Sequence, residues 1–465
     1  MTRNLVLICL DAVRKDFFDE YASRIRELSS LSYDQARAAS CWSVPSHASM
    51  MTGALPSEHG VHSHHRDFSS TTRAETFLSE LSDHVALGVS ANTYASSMFG
   101  FDAAFDDFVD VPFNGFRFTE GLTPRHVDLS GTRRERYVAY LRRCLDHEHP
   151  FRSIANGVLD QSPIRIKGQL STPFPGIRDN GTRRVLSAAE RLVDDPDPYF
   201  LFLNLMDGHS PQHHVRGYDR EIHGVGNRWS SRQEGQRVVR HPEQYEEYLE
   251  NYRAMYAASI DYLDRHVADF VSAITSKSNR ETTVVVTADH GENLGLDGDD
   301  GMFGHTSSLS EGLLHVPMEV INPPESGSAN VEEYVSHLRL GELLAGFADG
   351  ECPDVTRPRI RAETVGQAIN IKSNPSYWDR MLRCHYEGGR KLVWDSLGVT
   401  TEYEVGPGSN EQRTRETRTS IPPEDETFDA AILNYKRTAL RRAVGTAEDD
   451  LDADVEDRLR DLGYV

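Results

Sequence analysis

The sequence predicts an α/β protein with a doubly wound, mostly parallel sheet and a small C-terminal α+β subdomain. Short apolar runs alternate with helix-like segments along the first 350 residues, as expected for a sheet that helices cover on both faces. The clearest runs are residues 4–10, 84–90, 199–206, 282–287 and 316–321. The pattern changes after residue 350, so we assign residues 1–350 to a main domain and 351–465 to a small subdomain with an acidic helical tail.

The other elements follow from local patterns. Residues 243–270 carry apolar side chains near helical spacing, which predicts a long amphipathic helix. Residues 384–396 predict a hairpin that turns at 387–390, and residues 406–424 predict a loop because turn-forming residues dominate them. The acidic segments 425–444 and 448–462 predict helices. Residues 113–190 mix Arg-rich and Pro-rich pieces and predict no definite element.

The net charge of −22 limits the possible partners. Only six residues are lysine, so arginine carries nearly all the positive charge. An acidic surface poor in lysine stays soluble in strong brine, where salt screens its self-repulsion. We therefore predict a salt-adapted protein, with an ordinary acidic enzyme as the alternative. The same charge repels phosphate backbones and argues against nucleic acid as a partner.

The five cysteines are scattered without metal-ligand spacing, and this odd, sparse set predicts reduced thiols and a cytoplasmic location. The first apolar run is too short for a signal peptide and leads directly into an acidic residue. No stretch approaches the roughly 18–20 apolar residues of a membrane span. We therefore expect a cytoplasmic protein without a membrane span.

Polar residues that bind metals or oxyanions follow four of the apolar runs. They are Asp11, Asn92, Asp207 and the pair Asp289 and His290. Ligands bind at the carboxyl ends of the strands of an open α/β sheet, so these residues are expected to converge in one crevice. A single Asp in such a place more often caps a helix. Four coincidences, with His209 and His305 close in sequence to two of them, predict a site.

The candidate nucleophile is Ser43. Pro45 suits the first turn of a helix that begins near Ser43, and the exposed amides of a helix N-terminus stabilise an anion. A serine hydroxyl is a weak nucleophile, but coordination to a divalent cation lowers its pKa. The alternative is that Ser43 is an ordinary helix cap.

Five segments together resemble the sulfatase family of the alkaline phosphatase superfamily. They are residues 10–16, residues 43–47 followed by Thr52 and Gly53, residues 207–211, residues 287–292 and the closing residues 459–464. The resemblance implies an alkaline phosphatase-like fold in which residues 1–350 form the catalytic domain. It also implies hydrolysis of sulfate or phosphate esters of a small molecule or glycan, by a family member of the haloarchaeal type.

Several positions depart from the family pattern. Family sulfatases convert a Cys or Ser to formylglycine under the guidance of a Pro and an Arg, and His47 occupies the Arg position here. We therefore expect unmodified Ser43 as the nucleophile, with formylglycine at Ser43 as the alternative. Ala12 replaces a second acidic residue, and Asn92 and His305 lie near the places of two substrate-binding lysines.

The resemblance implies a divalent cation held by Asp11, Ser43, Asp289 and His290. Histidine in place of the family's lysines suggests that a second cation supplies the missing charge, with Asp207, His209 and His305 as its ligands. Two such sites favour zinc or manganese, because His and Asp ligand sets suit these ions. A single site would hold calcium, the ion of the family's sulfatases.

The roles implied for the remaining residues complete the predicted mechanism. Asn92 and His47 bind the substrate, and His209 or His305 protonates the leaving group when it does not bind the second cation. Three alternatives stay open. They are transfer of the phosphoryl or sulfuryl group to a sugar or lipid head group, a two-metal phosphodiesterase, and a non-catalytic ligand-binding relative. The intact Ser43, Asp11, Asp289 and His290 argue against the last.

Overall fold

The fold is a large central sheet with helices packed around it and a second, smaller sheet at the C-terminal end. In the computed structural model of the chain, the described residues are 2–111, 133–147, 149–154, 179–193, 198–233, 235–325, 327, 329–367, 374–409, 411–419, 428 and 432. Among these residues, no helix combines the length and the apolar character that crossing a membrane requires.

The strands are β1 Asn4–Leu10, β2 Leu31–Arg37, β3 Val85–Ser90, β4 Asp107–Asp110, β5 Tyr199–Leu205, β6 Thr282–Thr287, β7 Met318–Ile321, β8 Ala329–Ser336, β9 Arg359–Val365, β10 Met381–Glu387, β11 Arg390–Asp395, β12 Thr400–Val405 and β13 Gln412–Arg418. The helices are α1 Lys15–Tyr21, α2 Ser23–Leu28, α3 Ser43–Thr52, α4 Pro56–His59, α5 Arg133–Leu145, α6 Thr182–Leu192, α7 Arg220–His223, α8 Gly235–Arg240, α9 Glu246–Lys277, α10 Glu311–Leu314, α11 Leu340–Asp349 and α12 Pro375–Trp378.

The central sheet has eight strands in the order β4-β3-β5-β1-β6-β7-β2-β8. Its neighbouring strands pair in parallel, except that β7 runs antiparallel to both β6 and β2. Every residue of β1, β5 and β6 is buried, which is typical of central parallel strands covered on both faces. The predicted α/β class with a mostly parallel sheet is therefore confirmed.

The predicted elements match the structure most closely at the centre of this sheet. The apolar runs 4–10 and 282–287 coincide with β1 and β6, because burial on both faces favours a nearly continuous run of apolar and β-branched residues. The predicted helix 243–270 corresponds to α9, which starts at Glu246 and continues to Lys277.

The C-terminal sheet has five antiparallel strands in the order β13-β12-β11-β10-β9. The predicted hairpin is confirmed, since β10 and β11 pair up to Glu387 opposite Arg390. The prediction of a loop over 406–424 was wrong in part, because β13 pairs with β12 there. All but the first residue of β13 are exposed, so this edge strand has no apolar alternation that would signal it. The predicted acidic helices lie outside the described residues, apart from Phe428 and Ile432.

The two sheets share a core. Side chains of β9 and β10 belong to the same buried cluster as those of β1, β5 and β6. A buried ionic group adds to this contact: Glu311 of α10 lies 2.9 Å from Arg37 Nη2 and 2.9 Å from Lys391 Nζ of β11. Burial opposes the charge of Glu311, but Arg37 and Lys391 outweigh it and lower the pKa of this carboxyl to about 2. The division of the chain at residue 350 stays a prediction.

We expect Lys391→Met to lower the free energy of unfolding by about 3–5 kcal/mol, because it leaves the buried Glu311 with one cation fewer. Lys277→Met is the matched control. Its ammonium is 3.4 Å from Glu190 on the surface, and such a pair contributes at most about 1 kcal/mol. Urea unfolding followed by circular dichroism measures both. Equal losses in the two variants would show that the buried ion pair stabilises the fold no more than the surface ion pair does.

Candidate active site

Three of the predicted residues meet at the carboxyl ends of β1 and β6. Asp11 follows β1, and Asp289 and His290 follow β6. The two strands are parallel neighbours, so the residues after them leave the sheet at the same edge. One ligand atom from each of the three side chains lies within 4.8 Å of the others, and all three are buried.

Two carboxylate oxygens in this cluster lack a hydrogen-bond partner within the described part of the chain, and a bound cation would stabilise them. Asp289 Oδ1 accepts from the backbone amides of Ala12 and His290, at 3.1 and 3.0 Å. Asp289 Oδ2 and Asp11 Oδ1 are buried without a hydrogen-bond partner among the described residues. Burying an unpaired charge is costly, and two carboxylates with an imidazole form a common divalent-metal ligand set. The residues therefore fit the divalent cation that the sequence implies.

His290 is held as a neutral ligand. Its Nδ1 lies 2.7 Å from the carbonyl oxygen of Gly291, which can only accept, so this nitrogen carries the proton. Burial, with the neighbouring charge of His305, lowers the pKa of His290 to about 3. The opposite nitrogen, Nε2, is then the one with a lone pair, and it lies 3.4 Å from Asp289 Oδ2.

Ser43 is the first residue of α3, with Pro45 in the first turn as predicted. Its Oγ lies 3.4 Å from His290 Nε2. The residue before it, Trp42, is extended, so the backbone turns into the helix at the hydroxyl. The first amides of α3 have no partner within the helix and can hold an oxyanion. The Ser43 hydroxyl, the N-terminus of α3 and the carboxylate cluster thus lie next to one another.

His47 was expected to bind substrate, but its ring contacts the backbone of Ser43 and the side chain of Asn204. The ring is 1% exposed. Its Nδ1 donates to the carbonyl oxygen of Ser43 at 2.8 Å, and its Nε2 lies 2.9 Å from Asn204 Nδ2. Position 47 is one helical turn after Ser43, so its side chain points along the same buried face. The ring steadies the start of α3.

Asn92 was also expected to bind substrate, but its side-chain amide forms hydrogen bonds with Asp11 and with the backbone of Tyr94. Asn92 Nδ2 donates to Asp11 Oδ2 at 2.6 Å, and its Oδ1 accepts from the amide of Tyr94 at 2.8 Å. Asn204 Nδ2 approaches the same oxygen of Asp11 at 3.3 Å. Two amides thus hold Asp11 Oδ2, which leaves Oδ1 as the oxygen for a cation. We therefore treat Asn92 as a support for Asp11.

Asp207 was expected to bind a second metal, but it lies apart from the cluster. Its Oδ1 accepts from the amide of Asn180 and the hydroxyl of Tyr218, at 3.1 and 3.2 Å, and its Oδ2 accepts from Thr182 Oγ1 at 2.5 Å. Burial, with the charge of Asp179, raises the pKa of Asp207 to about 6. This carboxylate joins the end of β5 to the start of α6, and we do not include it in a metal site.

His209 and His305 do lie beside the cluster. Their ring centroids are 5.0 Å apart, and the His305 centroid is 5.0 Å from that of His290. Burial, with the charge of His209, lowers the pKa of His305 to about 3. The rings of His209, His305 and His290 therefore follow one another along this side of the cluster.

Sequence reasoning missed two residues of the site, Asn204 and Glu292. Asn204 interrupts the apolar strand β5 near its end, and a lone amide in a buried strand is the signal that could have identified it. Glu292 follows His290 by two positions in a segment already singled out. Burial outweighs the nearby histidine charges and raises the pKa of Glu292 to about 7.

Comparisons with known proteins agree with this architecture. The sulfatase family model matches residues 3–350 of the chain. An uncharacterized sulfatase of Escherichia coli (strain K12), YidJ, is 26% identical over 101 residues, which is 22% of this chain and 20% of that protein. The chain therefore spans only a fifth of the length of this curated relative.

Solved structures resemble the whole chain. A phosphonate monoester hydrolase of Agrobacterium radiobacter superposes with a TM-score of 0.59 at 16% identity, over 97% of this chain and 96% of that one. The corresponding enzyme of Silicibacter pomeroyi gives 0.54 at 15% identity, with 97% and 96% coverage. A 2-O GAG sulfatase, BT1596, gives 0.53 at 15% identity, with 99% and 94% coverage. At these identities the likeness shows the alkaline phosphatase-like fold.

Proposed function

Since the chain belongs to the sulfatase family, we propose that it is a divalent-metal-dependent hydrolase of sulfate or phosphate esters with Ser43 as its nucleophile. One observation carries the proposal. Ser43 Oγ lies at the start of α3, 3.4 Å from His290 Nε2, beside two buried carboxylates that each have an oxygen without a hydrogen-bond partner among the described residues. A hydroxyl in this setting suits attack on a bound oxyanion.

Asp11, Asp289 and His290, together with Ser43, are the residues that would hold the cation. When bound, a divalent cation neutralises the carboxylates and lowers the pKa of a nearby hydroxyl. The stated contacts support this assignment, because every other polar atom of the two carboxylates already accepts a hydrogen bond.

The chain's own groups account for the rest of the proposed reaction. The first amides of α3 hold the non-bridging oxygens of the ester. Ser43 Oγ bonds to sulfur or phosphorus while the bond to the leaving oxygen breaks, and water then releases the covalent intermediate. Asn92 and Asn204 keep Asp11 in place, and His47 keeps the first turn of α3 in place.

We propose that Ser43 acts unmodified. His47 stands where an Arg guides formylglycine formation in the family pattern, and its buried ring contacts Ser43 O and Asn204. Mass spectrometry of the peptide that contains Ser43 tests this. A peptide mass matching serine supports the proposal, and a mass matching formylglycine would replace it with the aldehyde route.

The proposed substrate is a small-molecule or glycan ester. Structural neighbours include BT4656 in complex with its substrate D-glucosamine-2-N,6-O-disulfate and a protein in complex with a neocarrahexaose. We also propose a cytoplasmic location, from the sparse cysteines, and a surface adapted to salt, from the net charge of −22. The assays are therefore run in both high and low salt.

The first test is turnover of an aryl sulfate, an aryl phosphate monoester and an aryl phosphodiester, each with calcium, magnesium, manganese or zinc. We expect one of the two monoesters to be the preferred substrate, and chelation of the metal to remove at least about 99% of the activity, because several kcal/mol of charge stabilisation are lost. Metal-independent turnover at the same rate would contradict the proposal.

A two-metal phosphodiesterase is the second candidate. The 5.0 Å approach of the His209 and His305 rings favours it, although Asp207 does not join them. Preference for the diester, with two equivalents of zinc or manganese per chain by elemental analysis, would select this candidate over the first.

A further inference from the structure

The α5 segment, which we define as residues 133–147 and 149–154, concentrates exposed apolar side chains. Seven large apolar side chains are exposed among the described residues, and three of them lie within eleven positions of this segment. Leu141 is 37% exposed, Leu145 is 67% exposed and Phe151 is 86% exposed, and the last two are the most exposed of the seven. Exposed apolar side chains that cluster in this way mark an interaction surface.

The packing of the α5 segment leaves these side chains on the outside. Residues 150–154 are helical and pack against α5 through Tyr140, Cys144 and Ile154. Tyr140 also donates its hydroxyl to the carbonyl oxygen of Ser153 at 2.6 Å. This small cluster is separate from the main core. The two helical pieces therefore cover each other's inner faces, and their outer faces are free to contact a partner.

The α5 segment is also basic, in contrast to the chain as a whole. Residues 133–154 contain six Arg and three Asp or Glu, whereas the whole chain has 50 basic and 72 acidic residues. Arg142 and Arg143 are exposed on α5. They lie between Leu141 and Leu145, which are one helical turn apart. Arginine and leucine side by side on an exposed helix are typical of helices that lie on an anionic membrane surface.

We propose that the α5 segment docks on an anionic lipid surface. Leu145 and Phe151 insert between the head groups, and the neighbouring arginines contact the lipid phosphates. A stable interface with another protein takes roughly 20–30 residues on each side, which is more than this segment exposes, whereas a few projecting side chains suffice at a lipid surface. The net charge of −22 opposes the contact only weakly, because at about 0.15 M salt the charges farther than about 8 Å from the lipid are screened.

Sedimentation of the full chain with lipid vesicles tests the proposal. Phosphatidylcholine vesicles with and without phosphatidylglycerol are compared in about 0.15 M salt. We expect the wild-type protein to bind the anionic vesicles at least about tenfold more tightly than the neutral ones, because the arginines add electrostatic attraction to apolar insertion. Raising the salt to about 1 M should remove this preference, since the Debye length then falls to about 3 Å.

Two double variants separate the electrostatic from the apolar contribution. Arg142→Gln/Arg143→Gln is expected to weaken binding to the anionic vesicles about 25-fold, because each basic side chain near an anionic surface contributes a factor of about five. Leu145→Ser/Phe151→Ser is expected to weaken it by at least about tenfold, because less apolar surface enters the lipid. Thermal melting shows whether each variant is folded, and Leu145→Ala/Phe151→Ala replaces the serine variant if that one is not.

Matched controls make the same changes elsewhere on the surface. Arg413→Gln/Arg415→Gln removes two exposed arginines of β13. Leu397→Ser/Val399→Ser removes two exposed apolar side chains between β11 and β12. Both controls are expected to bind the anionic vesicles as tightly as the wild-type protein does.

Two results would overturn the inference. They are a wild-type protein that does not sediment with anionic vesicles, and equal losses of binding in the α5 variants and their controls. In the first case, analytical ultracentrifugation would show whether a second copy of the chain covers the segment instead, since Leu145→Ser/Phe151→Ser would then dissociate a dimer. Vesicle binding needs no turnover, so both results leave the proposed ester hydrolysis as it stands.

Discussion

Ser43→Ala is expected to lower kcat by at least about 10⁴-fold on any ester that the protein hydrolyses, because it removes the proposed nucleophile. The hydroxyl lies at the first position of α3, and its Oγ is 3.4 Å from His290 Nε2. Removing one oxygen from a small buried side chain leaves the helix and the cation cluster in place. The loss should therefore appear in kcat even when added metal compensates for the ligand that Ser43 no longer supplies, with a melting temperature close to that of the wild-type protein.

Steady-state turnover with saturating metal measures this effect. Thr52→Ala is the matched control, since Thr52 also carries a hydroxyl in α3 and donates it to the carbonyl oxygen of Ala48 within the helix, at 2.7 Å. That variant should keep its activity within a factor of a few. Ser43→Ala with full turnover would exclude a covalent intermediate at this position, whether serine or formylglycine forms it.

Asp289→Asn is expected to have opposite effects on activity and on the stability of the metal-free protein. Asp289 Oδ2 and Asp11 Oδ1 are both buried without a hydrogen-bond partner among the described residues. Without a cation, the two carboxylates repel each other and one oxygen of each is unsatisfied. Replacing one charge by an amide should raise the free energy of unfolding of the metal-free protein by about 1–3 kcal/mol. It should also lower kcat by about 10³-fold or more.

Thermal melting with and without chelator, alongside turnover, measures both effects. The wild-type protein should melt higher when a divalent metal is added, because the metal binds the folded state, and Asp289→Asn should lose this response. Asp297→Asn is the control, since Asp297 is an exposed carboxylate in the segment after the cluster. A metal-dependent rise in melting temperature that survives in Asp289→Asn would show that the cation binds elsewhere.

The sequence alone was enough to predict the centre of the fold and of the site. Strands β1 and β6 are buried on both faces, so their apolar runs end abruptly at Asp11 and Asp289. A polar residue that follows a buried parallel strand leaves the sheet at its carboxyl edge. Adjacent strands then bring these residues together, and the structure shows this for Asp11, Asp289 and His290.

The direction in which each remaining side chain points came from tertiary packing. Asp207 also follows a buried strand, yet Asn180, Thr182 and Tyr218 supply its donors and turn it toward α6. His47 shares a motif with Ser43, but a helical turn places its ring against Asn204. These partners are distant in the chain, so no local pattern contains them. Glu292 likewise acquires its place only because the loop that carries His305 folds back onto it.

Strand β13 is an element that the sequence did not predict and that the tertiary structure forms. Its residues are polar and nearly all exposed, and the segment reads as a loop until β12 supplies the backbone partners. Burial leaves a record in the sequence because a strand covered on both faces is made mostly of apolar residues. Hydrogen-bond partners brought together by the fold leave no such record, and for that reason the structure was needed to separate the cation cluster from the residues that support it.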